Sequence, residues 1–323
     1  MTRCWMWLAA FAALIGHGEA LAQAWPGKRV QVIVPFTAGS ATDIMARTVA
    51  RRLSEQLGQS FVVENRPGAG GTIGVGAVAR AEPDGHTILV HSSSYTITPT
   101  TYPNTPYDTV RDLVGITPLA LLPNVLVMSP KQDIQTVRDL VRAAKAKPGT
   151  MSYASAGVGT ATHLNGERFR LGADIDVLHV PFKGTPEALT EIIAGRVDYY
   201  FCPVNAVLPM IAEKTLLALA VGSTKRSAAL PDVATTVEAG VANSDYNFWV
   251  GMFMPSKTPR DVVQRLHQET AKALESKEVR DSMAQLGAES MLKQPDEFDA
   301  YIRGEIVTNA ALVKAAGIAG GAR

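Results

Sequence analysis

The chain has 323 residues, with 31 Lys and Arg against 30 Asp and Glu and a formal net charge of +1. Hydrophobic residues make up 46% and charged residues 19%, enough apolar content to bury a full core, which excludes a generally disordered chain. The balanced charge speaks against a nucleic-acid protein with its basic face, and two cysteines can build neither a disulfide framework nor a cysteine-rich zinc site.

Residues 1–24 read as a secretory signal peptide. Arg3 supplies the positive start, Cys4–Ile15 the apolar run, and Ala22-Gln23-Ala24 a small-x-small cleavage site before Trp25. The run is broken by Gly16-His17-Gly18-Glu19 and falls short of the roughly 20 residues that span a bilayer. An exported, soluble product is therefore expected, with Cys202 its single cysteine.

From Trp25 onward strand and helix signals alternate. Arg29–Val34 reads as a strand; Met45, Val49, Leu53 and Leu57 then recur every four residues, a helical stripe from Asp43 closed by Gly58. Phe61–Glu64 (strand), Thr72–Arg80 (helix) and Thr87–His91 (strand) complete a unit typical of a parallel sheet wrapped by helices. The pattern recurs through strand Val125–Met128, helix Thr136–Lys147, strand Met151–Ala154 and helix Thr162–Leu171. Strand Asp176–Val180, helix Thr185–Ala194, and strands Asp198–Phe201 and Leu216–Val221 follow. Ser223–Asn247 reads as a connection; strand Trp249–Met254 and helices Asp261–Ser276, Val279–Leu286 and Glu297–Ala316 end the chain. The expected fold class is α/β with two lobes, each a mainly parallel sheet flanked by helices. Residues 25–123 plus 247–323 form the first lobe and 124–246 the second.

Two segments occupy equivalent places in the two lobes: Phe36-Thr37-Ala38-Gly39-Ser40 ahead of Asp43, and Ser155-Ala156-Gly157-Val158-Gly159-Thr160 ahead of His163. Each joins a strand to a helix N-terminus, where free backbone N–H groups and the positive end of the helix dipole bind anions without a cationic side chain. An ordinary capped βα turn explains the same residues, since Ser40 and Asp43 stand at capping-box spacing. Ser92, Ser93 and Ser94 follow a strand and either supply hydroxyls to the same cleft or cap the turn from Tyr95 onward; Lys183 either pairs with an anion or is a solvated turn lysine.

Gly74-Val75-Gly76-Ala77-Val78-Ala79 matches the dinucleotide pattern, but it does not directly follow a strand and lacks the ribose-binding acid, so glycines for close packing are the better reading. There is no G-x-S-x-G, H-E-x-x-H or C-x-x-C motif, and no cofactor or metal is expected. Cys202 follows Tyr199-Tyr200-Phe201 and reads as a buried, inert thiol.

The mature chain resembles the Bug family of periplasmic solute receptors of tripartite tricarboxylate transporters. The markers include Pro35-Phe36 with Ala38-Gly39 and Asp43, Val63-Glu64-Asn65-Arg66-Pro67-Gly68-Ala69-Gly70-Gly71, Pro83-Asp84-Gly85, Tyr153-Ala154-Ser155-Ala156-Gly157, and His179-Val180-Pro181-Phe182-Lys183-Gly184. The resemblance implies a periplasmic flytrap fold that closes on a small carboxylate (a dicarboxylate, tricarboxylate or aromatic acid) through the two βα loops. It also implies a partner permease of the tripartite tricarboxylate type, or a sensor protein, and a monomeric receptor without enzymatic activity. The ligand contacts it implies are Phe36, Thr37, Ala38, Gly39, Ser40, Asp43, Ser92, Ser93, Ser155, Ala156, Gly157, Gly159, Thr160, His163, Phe182 and Cys202. Two departures stand out: Ser40 where the family usually has a second glycine, and Cys202-Pro203-Val204-Asn205 where many relatives carry an acid or amide. The second implies a less polar wall, which favours a plain or aromatic carboxylate over an amino acid.

The rival reading is an exported α/β hydrolase for a small acid or ester, using Ser40 or Ser93 with His91 or His163. It requires a Ser–His contact oriented by a third group. A receptor dedicated to signalling is a third reading.

Overall fold

The computed structural model describes residues 25–318; the expected leader lies outside the described residues. Two mixed sheets carry the fold. The first has the order β11 (Glu289–Ser290), β4 (Leu113–Leu121), β10 (Trp249–Pro255), β3 (Thr87–Ser92), β1 (Val30–Val34), β2 (Phe61–Asn65). The second has the order β7 (Leu178–Pro181), β6 (Ser152–Ser155), β8 (Tyr199–Pro203), β5 (Asn124–Met128), β9 (Leu217–Val221). The helices that matter for the site are α1 (Ala41–Leu57), α2 (Thr72–Ala79), the single turn α3 (Thr98–Thr101), α4 (Val137–Ala146), α5 (Ala161–Ala173) and α6 (Thr185–Ala194). Further along are α7 (Leu208–Ala212), α8 (Arg260–Glu275), α9 (Lys277–Gln285) and α10 (Pro295–Ala315).

The parallel ladders are those built by strand–helix–strand units: β1 with β2 and β3, and β6 with β7 and β8. β10 instead runs antiparallel to β3 and β4, and β5 antiparallel to β8 and β9, so the sheets are more mixed than the helix-strand alternation predicts. The reason is the route of the chain. β4 of the first sheet passes through Leu122 and Pro123 straight into β5 of the second, and the return from β9 delivers β10. Neither strand is fed by a crossover helix on its own sheet, which parallel pairing needs. The two passages lie side by side: Leu122 N–H donates to Phe248 O at 2.8 Å, and Gly222 N–H to Asn124 O at 2.7 Å.

Sequence periodicity missed β4. Pro118 cannot donate to a ladder, and it sits at a register irregularity against β10, the place where a proline inside a sheet is tolerated. The strands that do show are buried on both faces. Along β10, Val250, Met252 and Met254 enter the core under α1 and α8, while Trp249 and Phe253 enter the opposite core with Tyr95 and Phe298. Along β8, Tyr199 and Phe201 face Phe169 of α5, and Tyr200 and Cys202 face the α6 side. Alternation across the pleat fills two cores from one strand. The core of the first lobe also takes in Ala161 and Leu164 of α5, so the start of that helix is seated on the opposite lobe.

Candidate ligand-binding cleft

A short pattern is written twice. Gly39-Ser40-Ala41-Thr42-Asp43 opens α1 in the first lobe, and Gly159-Thr160-Ala161-Thr162-His163 opens α5 in the second. In both, the hydroxyl residue is extended and caps the helix: Ser40 Oγ accepts from Asp43 N–H at 3.3 Å, and Thr160 Oγ1 from His163 N–H at 3.4 Å. In both, the last side chain reaches back to the glycine amide. Gly39 N–H donates to Asp43 Oδ2 at 2.9 Å, and Gly159 N–H to His163 Nδ1 at 3.1 Å. Gly39 and Gly159 have φ of +80° and +73°, the left-handed region where a side chain is strained.

These caps change the expected chemistry of the loops. Besides Gly39 and Gly159, Ala156 N–H is taken by Thr162 Oγ1 at 3.0 Å and Gly157 N–H by Ser155 Oγ at 3.1 Å. The glycine-loop amides are thus spent on holding the loops in shape. What remains for a ligand is the first helical turn. The amides of Ala41, Thr42 and Thr162 have no acceptor within their own helices. α6 adds a third start: Gly184 is its cap and Thr185 its first residue. The Thr185-Pro186-Glu187 sequence marks this helix start clearly, but its place beside the other two follows only from the β6–β8 pairing and the closeness of the lobes.

The three starts converge on one pocket of about 380 Å³ of free space, lined by Phe36, Thr37, Ser40, Ala41, Thr42, Ser92 and Ser94 from one lobe. Ala156, Thr160, Ala161, Thr162, Gly184, Thr185 and Pro203 face them, with Phe248 from the return passage. No Lys, Arg, Asp or Glu lines it. The Thr37 hydroxyl, which lines it, is buried and without a partner. Outside it lies a wider chamber of about 1050 Å³, sharing Phe36, Thr37, Ala156 and Thr160 and walled by Pro67–Gly71, Tyr102, Gly157, Val158 and Phe182. Lys183, exposed and in no ion pair among the described residues, is its one charged lining residue. The lobes touch at both levels: Ala161 N–H donates to Ser94 Oγ at 2.8 Å, and Tyr102 O–H to Val158 O at 3.2 Å.

Eight of the residues expected at the ligand line these two chambers: Phe36, Thr37, Ser40, Ser92, Ala156, Gly157, Thr160 and Phe182. The structure places the others behind them. Ala38 and Gly39 are in the exposed bend, and Ser93 turns to Tyr246, whose O–H donates to it at 3.4 Å. Ser155, Gly159 and His163 brace the second loop. Cys202 faces the α6 core with its thiol 3.9 Å from Val125 O, and burial pushes that thiol far up; its neighbour Pro203 lines the pocket instead. Strand parity decides this, because successive residues of β8 point to opposite faces.

Asp43 is the acid nearest this pocket in sequence, and it is turned away from it. It accepts from Gly39 N–H, from Asn65 Nδ2 at 2.9 Å and from Arg47 Nε at 3.0 Å. Burial pushes its pKa up, but the Arg47 bond and the Gly39 amide outweigh burial and hold the carboxyl below its usual range. Asp43→Ala is expected to lower the unfolding free energy by about 2–3 kcal/mol, because it removes the buried acceptor shared by Gly39 N–H, Asn65 Nδ2 and Arg47 Nε. Chemical denaturation of the ligand-free protein measures this, and an unchanged midpoint would contradict it.

The hydrolase reading finds no support. His91 Nδ1 bonds Ser92 O at 2.9 Å rather than a seryl oxygen, and His163 Nδ1 is occupied by Gly159. Among the described residues there is one Ser–His contact, Ser155 Oγ to His179 Nε2 at 2.7 Å, but Ser155 is buried away from both chambers and already accepts from Gly157. The glycine pair of the dinucleotide-like stretch lies on α2, where a Cβ at Gly74 would stand 2.7 Å from Pro35 Cβ; these glycines serve packing.

The sequence matches the family described as "Tripartite tricarboxylate transporter family receptor" over residues 45–318. The chain belongs to this family of receptors. Among its relatives is Protein BugT of Bordetella pertussis, 34% identical over 320 residues, which span 98% of each chain. Among solved structures, the periplasmic binding protein BugD superposes with a TM-score of 0.86 at 32% identity, covering 91% of this chain and 99% of that one. R. palustris Rpa4515, solved with adipate, superposes with a TM-score of 0.87 at 31% identity, covering 91% and 99%. The family match and the superposition on periplasmic binding proteins make the protein a solute receptor rather than an enzyme.

Proposed function

We propose that this receptor holds a small carboxylate with its head group in the inner pocket and its body in the outer chamber, and hands it to a membrane permease of the tripartite tricarboxylate type. The observation that carries this is the meeting of three helix starts and an unpartnered Thr37 hydroxyl around a pocket with no charged lining residue. A carboxylate there receives charge-assisted N–H bonds and the favourable end of three helix dipoles, with no cation to desolvate. Phe36, Phe182 and Tyr102 give the outer chamber aromatic walls, and Lys183 offers a second carboxylate a counter-charge. The ligand read from this is a dicarboxylate with an apolar spacer, in line with the adipate of Rpa4515. The lobes of the receptor are residues 25–123 plus 247–323 and 124–246, and residues 1–24 direct it to the periplasm as a monomer.

Calorimetry with adipate, its dimethyl ester and hexanoate tests the reading. Adipate is expected to bind at least a hundredfold tighter than the uncharged ester, about 2.7 kcal/mol or more. Hexanoate, which keeps one head group, is expected to fall between the two, and Lys183→Gln to weaken adipate alone. Equal binding of ester and acid would end the anion-pocket reading.

A further inference from the structure

The second-lobe loop is built like the first, with one substitution of chemistry: the side chain that grips the glycine amide is a carboxylate in the first (Asp43) and an imidazole in the second (His163). Because Gly159 N–H donates to His163 Nδ1, that nitrogen must carry a lone pair, so the ring is neutral. A second imidazole lies flat against it. The rings of His163 and His179 are 3.8 Å apart at 11°, and the Tyr153 ring lies nearly parallel to both, 4.9 Å from His179 and 6.3 Å from His163. His179 Nε2 contacts Ser155 Oγ, the acceptor of Gly157 N–H. The pair thus reaches both glycine amides of the loop.

We propose that His163 is the positioning residue of the second-lobe anion cradle, a neutral imidazole standing where the first lobe uses a carboxylate, with His179 holding it in place by stacking. The difference has a purpose in charge. Asp43 carries a full negative charge at the first turn of α1, and Arg47, four residues on, offsets it at 3.0 Å. In α5 the position four residues after His163 is Glu167, which accepts from Tyr153 O–H and pairs with Arg170 at 2.8 Å. The charged and titratable groups around the pair are Glu167 and Arg170 from α5, Tyr153 from β6 and Tyr199 from β8; the one cation among them, Arg170, is already paired with Glu167, so an acid at position 163 would have no partner of its own. A carboxylate there would oppose the incoming anion; an imidazole gives the same grip on Gly159 without the charge. Burial, with Arg170 nearby, lowers the basicity of His163, and burial and His163 lower that of His179, which keeps both rings neutral at physiological pH.

This rests on the carboxylate reading for its ligand but not for its geometry, and the test separates the two. Three variants are compared by calorimetry with adipate at pH 7.5. His163→Phe keeps a ring to stack and loses the acceptor; it is expected to weaken binding at least tenfold. His163→Asn returns an acceptor without charge and is expected to recover most of that loss. His163→Asp returns the acceptor with a charge and is expected to bind no better than the Phe variant, although its Gly159 amide is as protected from hydrogen exchange as in the Asn variant. Long-range proton–nitrogen NMR of the unmodified protein should place the proton of His163 on Nε2, with Nδ1 bare. A proton on Nδ1, wild-type affinity in the Phe variant, or equal losses in the Asn and Phe variants each overturns the proposal. If the unmodified protein ignores adipate, the ligand reading fails, and the NMR assignment together with Gly159 exchange in the Phe variant decides the positioning role alone.

Discussion

Between pH 6.5 and pH 4 the ligand-free receptor is expected to lose several kcal/mol of unfolding free energy. Buried histidines drive the loss: His91, His163 and, held lower still by burial and by its neighbour His163, His179. His91 is buried with Nδ1 bonded to Ser92 O and Nε2 unpartnered, facing Gly71 so closely that a Cβ there would stand 2.5 Å away. Burial pulls its pKa down to about 4, against a smaller upward pull from the Ser92 carbonyl; burial and Arg170 bring His163 to about 4 as well. Above pH 6.5 both states are neutral and nothing is lost. Below 6.5 the unfolded chain takes up protons that the folded chain refuses, so stability falls with falling pH until the folded pKa is reached. A shift of this size is on the order of 3 kcal/mol per histidine, so together they reach the scale of a typical domain's whole stability. Urea titrations across that window measure it. His91→Phe, which keeps the edge contacts to Phe36 and Tyr95, is expected to remove about one proton from the slope. A flat profile from pH 6.5 to 5 would show that these rings are hydrated or charged in the folded state.

Gly184→Val is expected to weaken ligand binding by about tenfold to a hundredfold while leaving the ligand-free melting temperature nearly unchanged. Gly184 caps α6 with φ −174°, an extended backbone that valine adopts freely, so the substitution carries no strain of its own. A Cβ at this position would lie 2.6 Å from Thr37 Oγ1 on the opposite lobe and 3.0 Å from a carboxylate oxygen of Glu187. The Thr37 contact exists only when the lobes are together. Overpacking of this kind costs about 1–3 kcal/mol, and here it falls on the closed form, the one that grips the ligand. Calorimetry and thermal unfolding of the same preparation read the two quantities. A variant that melts several degrees lower but binds normally would place the clash inside one lobe rather than between two.

Much of this architecture was legible before any coordinates. The four-residue stripe Met45, Val49, Leu53, Leu57 became α1, the β-branched runs became strands, and Thr185-Pro186-Glu187 opened a helix. Such signals are local: hydrogen bonding within a helix and alternation along a strand repeat at fixed spacing whatever the surroundings. β4 escaped because Gly115 and Pro118 interrupt its pattern, and because it is stabilised by neighbours far along the chain, β10 and β11.

The site divides in the same way. Composition and the two glycine-containing bends pointed to a pair of helix starts, and those bends do face a common space. Which of their amides remain free was decided by side chains reaching back from Asp43, His163, Ser155 and Thr162, over distances that a sequence does not display. Tertiary structure alone brought in α6, put Pro203 rather than Cys202 at the wall, and pressed His163 against His179. A helix start leaves amides without intrahelical partners in any context, since this follows from the chain's own geometry. Three such starts around one pocket is a property of how two sheets, joined by two short passages, lean on each other, and that requires contacts between residues distant in the chain, such as Ala161 with Ser94 and Tyr102 with Val158.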